Sequence, residues 1–251
     1  MDTFVSPFVV LAVSVAAQWF AVYAGDLLRT KMRPVKEEER ADFDIIRAAA
    51  LTLLALIIGF SFAMAVTRYD QRKNLEEAEA NAIGTEYVRV DFLPAEDAAR
   101  VRELLRGYVD QRVAFYLARD EGQVHEINAG IEKLHAELWS AVVRAVTPQQ
   151  TAVEALVVSG MNDVLNSQGY TQAAWWNRIP VAAWGLMGLI ATSCSLLFGY
   201  GEHRTSALAL VLPLIVSIAF FLIADIDSPR AGVIRVSPQN LIALSQSMKP
   251  H

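Results

Sequence analysis

Residues 48–66 contain no Asp, Glu, Lys or Arg, and that single run limits the possible folds more than any other feature. At 1.5 Å rise per residue, about nineteen helical residues cross the roughly 30 Å hydrocarbon core of a bilayer. Three further stretches, 4–24, 179–198 and 207–224, share the pattern. A charge at the centre of a bilayer is costly, so its exclusion from all of them predicts transmembrane helices. The apolar residues, 54% of the chain, are gathered in blocks rather than dispersed as in a soluble domain. The start Met1-Asp2-Thr3-Phe4 lacks the basic residues that open a secretory signal, so the first block is read as a helix that stays.

The blocks divide the chain. Residues 1–66 carry the first two spans and a short basic linker, and 67–178 form a helical extramembrane domain. Residues 179–226 carry the third and fourth spans, and 227–251 form a C-terminal tail. Within the insert, Pro94 followed by Glu96 and Asp97 suits a helix start. From there Val101, Leu104, Leu105, Tyr108, Val109 and Phe115 recur at helical period. Val124, Ile127, Ile131, Leu134, Leu138 and Ala141 alternate three and four apart, a heptad seam made for another helix. Thr147-Pro148 breaks that run, and Val153, Leu156, Val157, Met161, Val164 and Leu165 begin a third stripe. No period-2 pattern of useful length occurs, which predicts an all-α polytopic membrane protein with four spans. Trp175, Trp176 and Trp184 bracket the third span and read as an interfacial belt.

Several function classes find no support. A net charge of −5 without a basic stripe argues against nucleic acid as a partner. Cys194 is the one cysteine, so no internal disulfide can form, and His125, His135, His203 and His251 lack ligand spacing. There is no phosphate loop, nucleophile elbow or metal-binding helix signature, so neither an enzyme nor a cofactor is expected. The spans hold no charge that would couple transport to protons. Asp225 and Asp227 are weak candidates for a cation such as Ca²⁺, with capping and pairing to Arg230 the favoured role. Glu76, Glu77 and Glu79 read as a solvated face beside Arg72 and Lys73.

Charge gives an ambiguous orientation. Arg29, Lys31, Arg33, Lys36 and Arg40 in the first linker, with Arg204 in the last loop, would keep those loops cytoplasmic and the insert outside. Arg68, Arg72, Lys73, Arg178, Arg230 and Arg235 nearly balance them on the other side.

The second span reads Leu56-Ile57-Ile58-Gly59-Phe60-Ser61-Phe62-Ala63-Met64-Ala65-Val66-Thr67-Arg68-Tyr69. This resembles the pore helix of bestrophins, where a Gly-Phe pair precedes a Val-Thr-Arg-aromatic group. The chain as a whole resembles the bacterial bestrophin-like membrane proteins through Arg68-Tyr69-Asp70-Gln71-Arg72, Glu79-Ala80-Asn81-Ala82-Ile83-Gly84-Thr85, Asp225-Ile226-Asp227-Ser228-Pro229-Arg230 and Gly232-Val233-Ile234-Arg235-Val236. The resemblance implies a pentameric channel for small inorganic ions in the bacterial inner membrane, with a cytosolic helical domain that opposes the charge count. By the Gly-Phe register it implies a neck at Thr52, Leu56 and Phe60.

The residues agree with that implication on their own terms. Thr52, Leu56, Phe60 and Met64 recur every fourth position and share a face, with Thr67 and Arg68 near its end. Rings of Leu and Phe can gate by dewetting, a ring of Arg68 would favour anions, and rings of Glu76 and Glu79 would favour cations. The competing reading is a face used for packing, with Gly59 permitting close helix approach. The alternative function is a non-conducting scaffold or sensor that binds a partner through the heptad seam.

Overall fold

A computed structural model describes residues 6–31, 35–148, 151–201 and 208–249. Arg33, Arg204, His203 and His251, and with them most of the loop expected between the third and fourth spans, lie outside the described residues. All regular structure among those described is helical: α1 (Pro7–Lys31), α2 (Arg40–Arg89), α3 (Ala95–Leu117), α4 (Glu121–Val146), α5 (Ala152–Trp176), α6 (Val181–Gly201), α7 (Leu208–Asp227) and α8 (Gln239–Ser247). Four segments are long and apolar enough to cross a membrane, and they overlap the four blocks read from the sequence. The protein is therefore an all-α membrane protein.

The second block does not stop at Val66. It belongs to one helix of 50 residues, about 75 Å long at the standard rise. No proline interrupts 40–89, and Thr67 to Arg72 are compatible with continued helix, so nothing in the backbone chemistry ends the span where its hydropathy ends.

The chain forms two compact units, one of residues 1–68 with 178–235 and the other of 69–177 with 236–251. The stretch 227–251, expected as a single tail, is shared between them. In the first unit α1 packs on α6 and α7. A Cβ added to Gly25 would land on the Leu196 carbonyl oxygen, and one added to Gly199 would land on that of Val22, so α1 and α6 meet backbone to backbone. Phe8 stacks obliquely on Phe221 at 5.3 Å, and Trp184 meets Phe220 edge-on at 6.2 Å.

The second unit has a conventional apolar core. Val101, Leu105, Tyr108, Val109 and Phe115 of α3 are buried, as are Ile131, Leu138 and Ala141 of α4 and Val157, Met161 and Val164 of α5. Most of the stripe residues seen in the sequence thus meet in one core, with Val124, Ile127 and Leu134 half-buried beside them, whereas Val153 and Leu156 at the start of the third stripe are exposed. Local signals start two of these helices: Asp120 Oδ1 accepts from Gln123 N at 2.8 Å before α4, and Thr151 with Glu154 makes a capping box before α5. Trp175 is not a belt residue. It is buried at 5.0 Å from Phe115 and 5.4 Å from Tyr116, because it falls on the inward face of α5, whereas Trp176 is exposed.

Candidate functional site

In the single subunit, the face of α2 read as a neck is uncovered. Leu56 is 53%, Phe60 62% and Met64 41% exposed, and Thr52 and Thr67 are exposed with them. On the opposite face Leu54, Ser61 and Ala65 are 2%, 3% and 0% exposed. The helix therefore packs through its small and branched side and leaves its bulky apolar side open. A Cβ added to Gly59 would meet no heavy atom within 4 Å, so within the subunit Gly59 serves no close helix approach. The Thr52 and Thr67 hydroxyls donate back to Ala48 O and Ala63 O, both at 2.9 Å, which leaves each oxygen as an acceptor on the open face.

Arg68, half-buried, reaches the C-terminal end of α7. Its Nη1 lies 3.5 Å from Asp227 Oδ1, and that carboxylate also accepts from Ile179 N at 3.0 Å. Asp225 is 1% exposed, with its two oxygens accepting from Val233 N at 2.7 Å and Ile234 N at 2.8 Å. Backbone amides and Arg68 thus engage both acidic residues, which hold the turn after α7. Gly232 is required there, since a Cβ would collide with the Asp225 carbonyl. Their oxygens are not arranged as a cation shell, and among the described residues no group of His, Cys, Asp and Glu could hold a metal. Both carboxylates, the weak Ca²⁺ candidates, serve here as acceptors for backbone amides, with Arg68 beside Asp227.

Glu76 and Glu79 stand elsewhere than expected. Both are buried in the second unit, at 1% and 0% exposure, rather than on a solvated face or at a mouth. Glu79 receives Arg112 through Nε and Nη2 and accepts from Thr171 Oγ1 at 3.1 Å. Glu76 accepts from Leu241 N at 3.0 Å and Asn240 Nδ2 at 2.7 Å, which ties down α8. A buried carboxylate needs such partners, and these take up the lone pairs an ion would need. Burial opposes charge on Arg112, but the Glu79 carboxylate more than offsets it and holds the guanidinium above its ordinary pKa. Nearby, burial and then Arg112 push the pKa of His135 down to about 4. Glu86, on the same buried face of α2, lies against Gly160 of α5, where a Cβ would strike its carboxylate.

Sequence reasoning missed Arg112, Thr171 and Glu86, yet a signal was present. Val101, Leu105, Tyr108, Arg112 and Phe115 share one spacing series, as do Glu76, Glu79, Ile83, Glu86 and Val90. A charge inside an apolar stripe marks a buried ion. A second miss lies in the membrane part, where Gln18 Nε2 donates to Ser14 at 2.9 Å and to Ser217 at 3.0 Å, and its Oε1 accepts from Ser195 at 3.3 Å. This network joins α1, α6 and α7.

A family model described as a Bestrophin-like domain matches residues 43–241. Among solved structures, a point variant of a bacterial Bestrophin homolog from Klebsiella pneumoniae is similar at 14% identity and a TM-score of 0.65, covering 96% of this chain and 97% of that one. A second variant of that homolog gives 14% and 0.61, with 96% of both chains covered. A structure described as a membrane protein gives 14% and 0.63, with 95% of this chain and 94% of that one covered. None of the curated proteins matches the chain. The structural likenesses concern the fold.

Proposed function

The chain belongs to the Bestrophin-like family, and from that premise we propose that it forms a homo-oligomeric channel, pentameric by family resemblance, that passes small inorganic ions without energy input. In this reading α2 of each subunit faces a common axis. Thr52, Leu56, Phe60 and Met64 make the constriction, with Thr67 and Arg68 at its end.

One observation carries the reading. The bulky apolar face of α2 is open while its opposite face is packed, and Gly59 on that side meets no neighbour within the subunit. A ring of such faces would make a narrow apolar passage that water leaves readily, a gate by dewetting. Because Arg68 is drawn to Asp227, a ring of it would present a partly neutralised charge. The scaffold alternative loses its main support, since the heptad seam is used inside the second unit.

The test is ion flux from vesicles carrying the purified full chain. Phe60→Ala and Leu56→Ala widen the constriction and should raise flux several-fold for small ions. Absence of flux from wild type and both variants, across anions and cations, would refute the channel.

A further inference from the structure

We propose that Glu86 is a proton-binding site: its buried carboxyl carries a proton that lets α2 pack on α5 at Gly160, and loss of that proton loosens α5 there. Glu86 is 0% exposed, yet no hydrogen-bond donor among the described residues reaches either carboxylate oxygen. Glu76 and Glu79, the other buried acids of α2, differ in this respect, each being met by two or more donors. Opposite Glu86 stands the bare backbone of Gly160, and a Cβ there would strike Oε2. The buried neighbours along both helices are apolar, Ile83 and Val90 of α2 and Val157, Met161 and Val164 of α5.

A carboxylate enclosed without donors loses its hydration and gains nothing in exchange, so the neutral acid is favoured. Two charged groups bear on it. Arg89 of α2 brings Nη1 to the same Gly160 but donates to neither oxygen, and its charge favours the ionised form. Asp163 of α5, exposed to solvent, opposes ionisation. Burial is the largest influence and pushes the carboxyl from its ordinary 4.5 up to about 8.

The folded protein thus keeps, through neutral pH, a proton that an opened α5 would release. Opening of the contact becomes easier as pH rises from about 4.5 to about 8, and levels off above. His135, whose pKa is lowered from 6.5, acts in the opposite sense in acid, so Glu86 is read from about pH 6.5 upward. Local openings of this kind are where regulated segments are found. Neither the chemistry of the site nor its test involves ion flux.

Infrared titration and hydrogen exchange of the detergent-purified full chain test the site. Wild type near neutral pH should show a protonated-carboxyl carbonyl band that Glu86→Gln lacks, lost with a midpoint at about pH 8. Arg89→Gln should move that midpoint up and Asp163→Asn should move it down. Protection of the α5 amides around Gly160, corrected for the chemical pH dependence of exchange, should fall about twentyfold between about pH 6.5 and about pH 8.5 in wild type. It should stay level in Glu86→Gln and in the apolar, similarly sized Glu86→Met. The proposal is overturned if no carboxyl band of wild type titrates above about pH 6.5, if that band persists in Glu86→Gln, or if protection falls as far in both variants as in wild type. Should neither variant fold, the wild-type titration alone decides.

Discussion

The two units bury polar groups in opposite ways. Away from the charged C-terminal end of α7, the interior between α1, α6 and α7 holds a neutral network, Gln18 with Ser14, Ser195 and Ser217, beside glycines that bring backbones into contact. Around α3, α4 and α5 the interior is a thick apolar core that encloses an ionised pair, Glu79 with Arg112. The difference follows from the driving force. Helices in lipid gain little by hiding apolar surface from tails that are equally apolar, so close packing and neutral hydrogen bonds hold them. Helices meeting in water gain from burial, and a large gain can offset the desolvation of an ion pair that fixes their register.

That contrast can be attacked at its strongest point first. Glu79→Ala leaves Arg112 charged and enclosed, and should cost about 3–5 kcal/mol in stability, read by denaturant titration of the purified protein. Replacing Glu79 and Arg112 together by Met should cost clearly less, since no orphan charge remains. A double variant as unstable as the single one would show that the pair acts through packing alone.

The next effect is in acid. His135 has its pKa lowered from about 6.5 to about 4, so the unfolded chain takes up a proton that the folded one refuses. Stability should therefore fall as pH drops through the window from about 6.5 to 4, by at most about 1.4 kcal/mol per pH unit in its middle and less towards either end. His135→Leu should flatten that part of a melting-temperature profile. An unaltered acid slope would place the sensitivity in another group.

The smallest change is expected in the membrane unit. Gln18→Leu removes the centre of the neutral network and should cost only about 0.6–1.7 kcal/mol, the range for hydrogen bonds between spanning helices. A loss as large as that of Glu79→Ala would end the distinction between the two interiors.

Much of this was legible in the chain. The four apolar blocks, the three stripes of the insert and the breaks at Pro94 and Pro148 all correspond to observed elements, because each depends on neighbours three or four residues away. The Gly59-Phe60 and Arg68-Tyr69 groups pointed to the Bestrophin-like family, and the family match agrees. What was misplaced depends on distant partners. Glu76 and Glu79 read as surface charges until Leu241, Asn240, Arg112 and Thr171 are brought to them. Trp175 read as a belt residue because its rotation about α5 is set by where Phe115 and Tyr116 lie.

Hydropathy and period alone determined that this chain crosses a membrane, that it is helical, and which face of α2 is bulky and apolar. Those properties are local, and any folded state of the sequence must respect them. Only the tertiary structure decided that this face stays open while Leu54, Ser61 and Ala65 are covered, and that the acidic residues past it turn inward. Burial and pairing are relations between segments far apart in the chain. The free energy of a charge depends on what surrounds it, which no stretch of sequence contains by itself.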